Sequence, residues 1–505
     1  MTSKYFCKAT LLLVAVIFLA TLFMPTPAQP VSAHPTKDHH ARIGDNFMNE
    51  ATKMMRDNWR DDYRPRHRAR GTYDEFQTAQ LILQTSAPLD QTYGATNVAT
   101  DPSGLCLLQY SSPRAAKIAH DKFALDPNIE YVQPNRIVGL AGIETAAQPN
   151  FQFALQNRWG ALKINADAMK AHLGNNSTQI IVAVVDTGVD YTHPFLASRM
   201  ISGIDYVNND FDAYDDQGHG THVAGTVVDC TPANVKIMPV KSLKYDGLGY
   251  EMWVNNGIRY AADNGAKVIN LSLGGEGDSP NQKAAIDYAV DLGASVVVAA
   301  GNDMADAGNY TPAKYDNVIT VSAINKFDAF ASTFSNYGSV IDISAPGVEI
   351  TSTYPNNQYA IADGTSMAAP HVTAGVAMLQ LDNPDSTPAQ LKTMACASTR
   401  DLGALGKDIY FGHGAFDLNK YLTPPTITLP PTITLPPTLP PAIGDTDLPL
   451  EFPETPAVIS PESAPNPYSG PAGSPHTFAG AVSLVITGGV VSILFVLIIR
   501  RRGVK

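Results

Sequence analysis

Asp186, His219 and Ser366 are the residue types that a proton-relayed nucleophile requires, and each stands at a sequence-predicted element end. Asp186 closes the apolar run IIVAVVD just before Thr187-Gly188, where backbone donors hold a carboxylate in place. His219 lies in GHGTHVAG, with Gly218 and Gly220 expected to clear space on either side of its imidazole at a helix start. Ser366 lies in GTSMAAPHV, among residues with little of their own to hold. Alone, that last stretch reads as a helix start in a tightly packed core. Together the three read as chemistry: a serine hydroxyl is a weak nucleophile near neutral pH, so an imidazole must take its proton and a carboxylate must orient that imidazole.

The elements that must position these groups alternate. Short β-branched runs begin at Ile180, Val235, Lys267, Ala294 and Asn317, and helical sequence fills the gaps, notably 219–228 and 253–264. Apolar strands separated by helices predict an α/β fold with a mostly parallel sheet covered on both faces. Ligand chemistry in such folds sits at the carboxyl ends of the strands. Ahead of this region, 79–85 and 129–132 read as strands and 113–123 as an amphipathic helix, a small α+β unit. The preceding segment, 34–70, is polar and Arg-rich without a stable period.

Both ends of the 505-residue chain read as targeting devices. Lys4 and Lys8 precede the apolar run Ala9 to Met24, and Val31-Ser32-Ala33 offers small residues to a signal peptidase, so 1–33 reads as a secretory signal. Phe478 to Ile499 is free of charge over 22 residues, and Arg500, Arg501 and Arg502 follow. That length suits one transmembrane helix, with the tail 500–505 cytoplasmic by the positive-inside rule. Between them, 421–477 carries PPTITL twice and reads as an extended polyproline stalk. The expected location is therefore the cell membrane, single-pass, with the bulk of the chain outside.

Residues 150–420 hold 16 Lys and Arg against 28 Asp and Glu, a difference of −12 equal to that of the whole chain. Such a surface repels nucleic acid. Of the four cysteines, Cys230 and Cys396 are the two in this region, and the sequence leaves open a disulfide or two free thiols.

The order Asp, His, Ser within VVDTGVD, GHGTHVAG and GTSMAAPHV resembles the subtilisin-like serine proteases (subtilases) over roughly Trp159 to Lys420. The resemblance implies a three-layer subtilisin-like fold over 149–420 and peptide-bond hydrolysis through an acyl-enzyme on Ser366, with no cofactor for catalysis. It assigns Asn302, in VVVAAGN, to an oxyanion hole with the backbone N–H of Ser366. It places a peptide or protein substrate along Ser272-Leu273-Gly274-Gly275. Tyr310, by spacing closer to the proteinase K type, falls near the floor of the primary pocket, for which small, aliphatic or aromatic side chains are expected. By the same resemblance His222 and His371 are structural and Asp190 is a surface or turn residue. Asp205, Asp210 and Asp212, in DYVNNDFDAYDD, lie where thermitase-like relatives bind structural calcium, a solvated acidic loop being the alternative. NIEYVQPN, from Asn128, resembles the end of an inhibitory propeptide, so 34–148 is expected to leave by self-cleavage between Gly139 and Phe151 and to act as inhibitor until then. Asp363 departs from the serine usual before GTSMA. The rival readings are a dedicated processing protease of a secretion system, and an inactive surface binding protein on the same fold.

Overall fold

The computed structural model describes residues 76–141 and 156–423, with 50, 51, 53–56, 154 and the backbone of 143–145. The expected signal, the stalk beyond 423, the apolar span 478–499 and the cytoplasmic tail lie outside the described residues. Among the described residues no helix is long and apolar enough to cross a membrane.

The leading unit contains β1 (Gln80–Thr85), β2 (Asn97–Thr100), β3 (Leu105–Gln109), α1 (Pro113–Phe123) and β4 (Ile129–Pro134). Its strands form one antiparallel sheet in the order β2-β3-β1-β4. α1 starts sharply because the Ser112 side chain accepts the Ala115 N–H at 3.2 Å and Pro113, at the first helical position, has no N–H to satisfy. Alternation along the strands divides their apolar residues between two faces. Leu81, Leu83, Cys106 and Leu108 pack with Ala116, Ala119 and Phe123 of α1. Ile82, Leu105 and Leu107 instead join a core with Trp253 and Ile258, so the small unit is seated on the larger one.

Two short strands follow, β5 (Ile137–Leu140) and β6 (Ile143–Thr145). The larger unit then runs through α2 (Ala166–Leu173), β7 (Ile180–Asp186), β8 (Ile204–Asp205), α3 (His219–Cys230), β9 (Val235–Lys241), β10 (Leu248–Tyr250) and α4 (Glu251–Asp263). It continues with β11 (Val268–Leu271), β12 (Leu273–Glu276), α5 (Pro280–Asp291), β13 (Ser295–Ala299), β14 (Tyr310–Thr311), β15 (Ile319–Ile324) and β16 (Ile343–Pro346). It closes with β17 (Ile350–Tyr354), β18 (Gln358–Asp363), α6 (Thr365–Asp382), α7 (Pro388–Ala397), β19 (Thr399–Arg400) and β20 (Ala415–Phe416).

The central sheet has the order β19-β20-β16-β15-β13-β11-β7-β9-β8, parallel except for the β19–β20 pair. Its strands are apolar on both faces, as a doubly covered parallel sheet requires. Val182 and Val184 of β7 face the core built with α3 and α6, while Ala183 and Val185 face the one built with α4 and α5. The run from Lys267, expected as one strand, breaks at Ser272: β11 stays in the central sheet and β12 leaves it to pair with β5.

α6 is buried on every side over its first 17 residues, Thr365 to Leu381, and contains Pro370. Proline has no N–H, so the carbonyl of Ser366, four residues earlier, loses its helical donor. The Ser272 hydroxyl donates to that carbonyl instead, at 3.0 Å. Cys106, Cys230 and Cys396 are free thiols.

His222 in α3 and His371 in α6 are 1% and 2% exposed. A ring N–H of His222 meets the Ile350 carbonyl at 3.0 Å and one of His371 meets the Met367 carbonyl at 2.8 Å, so both serve packing. Burial pushes His222 down to about 3, with the neighbouring His219 adding to the effect, and burial pushes His371 down to about 4. An unfolded histidine takes up its proton near pH ~6.5, which the folded chain refuses until far lower pH. Stability is therefore full above pH ~6.5 and falls by about 1.4 kcal/mol per pH unit for each histidine as pH drops toward 4. Urea unfolding of the full chain at pH 7 and pH 5 should show a marked drop in midpoint; equal midpoints would contradict this.

Candidate active site

Asp186 ends β7 and is fully buried. Its Oδ1 accepts the Thr187 N–H at 2.8 Å and meets Nδ1 of His219 at 2.8 Å. His219 is the first residue of α3, whose N-terminus is capped from a distance by Asp215. Asp215 Oδ1 takes the N–H groups of Gln217 and Gly218, and Oδ2 takes the N–H and hydroxyl of Thr221. A carboxylate there satisfies donors that the helix leaves unpaired and opposes its positive end.

The two glycines around His219 work differently from the expectation. A Cβ on Gly220 would stand 2.1 Å from the Gly188 carbonyl oxygen, and one on Gly218 would stand 2.2 Å from the Tyr354 ring. They let α3 close against the turn after Asp186 and against β17, rather than clearing room for the imidazole. Lys241, next to Asp186 in register on β9, clamps that turn by donating to the Thr187 carbonyl at 2.6 Å and to Asp216 at 2.5 Å.

Ser366 is the second residue of α6, preceded by Gly364 at φ 155°, a left-handed value that suits glycine. Its hydroxyl donates to the Ser272 carbonyl at 2.8 Å, while its backbone N–H donates to the Ala141 carbonyl at 3.0 Å. The Asn302 side-chain amide donates to the same Ala141 oxygen. Asn302 is held for this by its other end: Oδ1 accepts the N–H of Thr365 at 3.0 Å and its hydroxyl at 2.9 Å. One carbonyl of the chain itself thus sits between two donors from different elements.

The approach to that carbonyl is a strand in a slot. β5 lies between β10 and β12 in a sheet of order β10-β5-β12-β14, antiparallel to both of its neighbours. Gly139 pairs with Leu248 and Gly274, Leu140 pairs with Leu273, and the Ala141 N–H donates to the Ser272 carbonyl at 3.2 Å. Gly275 pairs with Thr311, and Tyr310 stands opposite Glu276 on β14. The Tyr310 ring also comes within 3.8 Å of a Cβ built on Gly301, which puts it beside Asn302. Past Ala141, β6 adds to β18, with Ile143 opposite Asp363. Asp363 itself accepts the Glu349 N–H at 2.5 Å.

Sequence reasoning missed the second wall, Leu248-Gly249-Tyr250, as well as Thr365 and Lys241. The pattern DGLGY was the available signal for the wall, but a three-residue strand that follows one glycine and contains another has too short a period to read. Asp190 is a turn residue rather than a surface one: it is buried, its carbonyl accepts the His193 N–H at 3.1 Å, and its carboxylate accepts the Thr192 N–H at 3.0 Å and the Asn356 N–H at 2.9 Å.

The expected calcium ligands do not converge. Asp205 Oδ1 accepts the N–H groups of Val207 and Asn208, Asp210 accepts the N–H of Asp212, and Asp212 accepts the Tyr191 hydroxyl at 2.6 Å. Calcium needs six to eight oxygens around one point. Each of these carboxylates accepts from a donor of the chain, and among the described residues no three acidic, His or Cys side chains gather in one place.

Residues 177–414 match the family model described as "Subtilase family". Thermitase of Thermoactinomyces vulgaris is 44% identical over 241 residues, 46% of this chain and 84% of that one. A thermophilic serine proteinase of Bacillus sp. (strain AK1) is 42% identical over 264 residues, 50% of this chain and 63% of that one. An alkaline serine exoprotease A of Vibrio alginolyticus is 40% identical over 281 residues, 53% of this chain and 51% of that one. The chain thus spans between half and two thirds of the length of these last two relatives. With motifs, sheet order and these likenesses in agreement, the chain belongs to the subtilase family.

Proposed function

We propose that this chain is a serine endopeptidase, secreted, held to the membrane by residues 478–499 and made as a precursor that cuts itself. The observation that supports this best is the Ala141 carbonyl, held by the Ser366 N–H and the Asn302 amide, with Asp186 bonded to His219 at the start of α3, a helix that shares a core with α6. A peptide in the position of β5 presents its carbonyl to the same donors by main-chain pairing, which accepts many side-chain sequences.

In the reaction, the Ser366 hydroxyl turns from the Ser272 carbonyl and attacks the carbonyl carbon while Nε2 of His219 takes its proton. Asp186 holds Nδ1–H and stabilises the imidazolium, and the Ser366 N–H and Asn302 Nδ2 take the charge that forms on the carbonyl oxygen. The imidazolium then returns its proton to the leaving amine as the C–N bond breaks. Water, deprotonated by the same imidazole, releases the acyl group from Ser366. Every proton passes among Ser366, His219, the leaving amine and water, and no cofactor enters.

The precursor reading rests on the occupant of the site being the chain itself, with Ala141 as the residue before the cut. The leading unit, seated on the larger one through Ile82 and Leu107, acts as the inhibitor until it leaves. The membrane reading rests on the apolar span and the arginines that follow it.

Ser366→Ala should abolish both peptide hydrolysis and conversion of the precursor, seen as a single full-length band where the wild-type chain gives two fragments. Conversion that persists in a purified Ser366→Ala preparation would remove self-processing. Wild-type protein that fails to react with a fluorophosphonate would favour a binding role on the same fold. Asn302→Ala should lower kcat by roughly 100- to 1,000-fold with a smaller change in KM, since its amide acts mainly on the charged oxygen.

A further inference from the structure

Arg136 lies six residues before the proposed cut, counting Ala141 as the first, and it is buried at 2% exposure with its guanidinium bonded to Glu251, Glu276 and Thr311 of the larger unit. Glu251 Oε2 accepts its Nε at 2.8 Å and its Nη2 at 2.6 Å. The Glu276 carbonyl accepts Nη1 at 2.9 Å, and the Thr311 hydroxyl accepts Nη2 at 2.9 Å. Three acceptors from α4, β12 and β14 thus surround one planar cation, in directions a guanidinium fork fills and a single ammonium does not. Glu251 is itself fully buried, its Oε1 accepting the Ser279 hydroxyl and, at 3.4 Å, the Asn255 amide from the larger unit, and at 2.9 Å the Gln133 amide, which leaves with the leading unit.

Once the leading unit departs, Glu251, Glu276 and Thr311 remain with the enzyme, because none of them belongs to the segment removed. The carboxylate then faces an opening with no cation of its own in it. β12, which supplies one of the acceptors, is a wall of the slot for residues 137–140, and β14, which supplies another, pairs with β12 on its far side. A substrate lying as β5 does therefore carries its sixth residue to the same place.

We infer that the mature enzyme has a guanidinium-selective subsite, formed by Glu251, the Glu276 carbonyl and Thr311, that favours substrates with arginine six residues before the cut bond. This rests on the reading of Ser366 as the nucleophile that cuts after Ala141. It extends recognition beyond the main-chain pairing of residues 137–140 to one charged side chain. The rest of the slot tolerates many sequences, so this contact sets much of the selectivity for long substrates.

The test uses wild-type enzyme matured from the full chain and three fluorogenic peptides. One copies residues 136–145, one replaces Arg136 by citrulline, and one begins at Ile137. Charge-assisted hydrogen bonds of this number predict kcat/KM on the order of 10- to 100-fold higher for the arginine peptide than for the citrulline peptide. The citrulline and shortened peptides should be cut at similar rates. Glu251→Gln enzyme should shrink the arginine-to-citrulline ratio to about twofold or less, a comparison within one preparation that does not depend on its absolute activity. Equal rates on the arginine and citrulline peptides with wild-type enzyme overturn the subsite while the protease reading stands. Failure to cut any of the three removes the protease reading and the inference with it.

Discussion

A single carbonyl oxygen organises this molecule. The Ala141 oxygen must lie within hydrogen-bond reach of a helix N–H and a side-chain amide whose residues are 64 positions apart, Ser366 and Asn302. Neither donor is placed by its own element alone. Thr365 fixes the Asn302 amide from the first turn of α6, and the Gly301 N–H donates back to the Thr365 hydroxyl at 3.1 Å. Pro370 frees the Ser366 carbonyl for the Ser272 hydroxyl, and the Ser272 carbonyl in turn holds both Ala141 and the nucleophile. In the proposed reaction the donors are thus fixed before any charge forms on the oxygen, so little reorganisation is left for the chemical step.

The parallel sheet supplies the scale on which this works. β7, β11 and β13 are neighbours, so Asp186, Ser272 and Asn302 emerge at one edge because their strands end together. The helices bring the other two groups by their N-termini, His219 on α3 and Ser366 on α6. Close approach there needs residues without bulk: an added Cβ at Gly220 meets a backbone oxygen at 2.1 Å. Ser366 is fully buried, with its N–H bonded to Ala141 at the end of the segment 137–141. On the proposed reading, the leading unit and Ser366 are therefore coupled by occupancy, the strand that blocks the site being the strand that displays the bond.

Much of this was legible in sequence because it is local. IIVAVVD is a strand wherever it folds, and α1 begins where Ser112-Pro113 says it begins. The parallel α/β class followed from alternation of such runs. What escaped is pairing between distant segments. Nothing within IVGL announces that it will sit between Leu248–Tyr250 and Leu273–Glu276, because a four-residue strand carries too few side chains to declare its neighbours. The acidic loop was ambiguous for a related reason: three carboxylates in eight residues suggest a cation, while each also finds an N–H or hydroxyl close at hand, as aspartates in turns often do. Arg136 was invisible as a recognition element because its partner, Glu251, lies 115 residues away.

The central claim is that the bond after Ala141 is the one the site is built around. Mass spectrometry of the two fragments formed in the first round of processing of the full chain tests it most directly. One fragment should end at Ala141 and the other begin at Gly142. Fragments divided at any other bond, while Ser366 is still required for the division, would contradict the account.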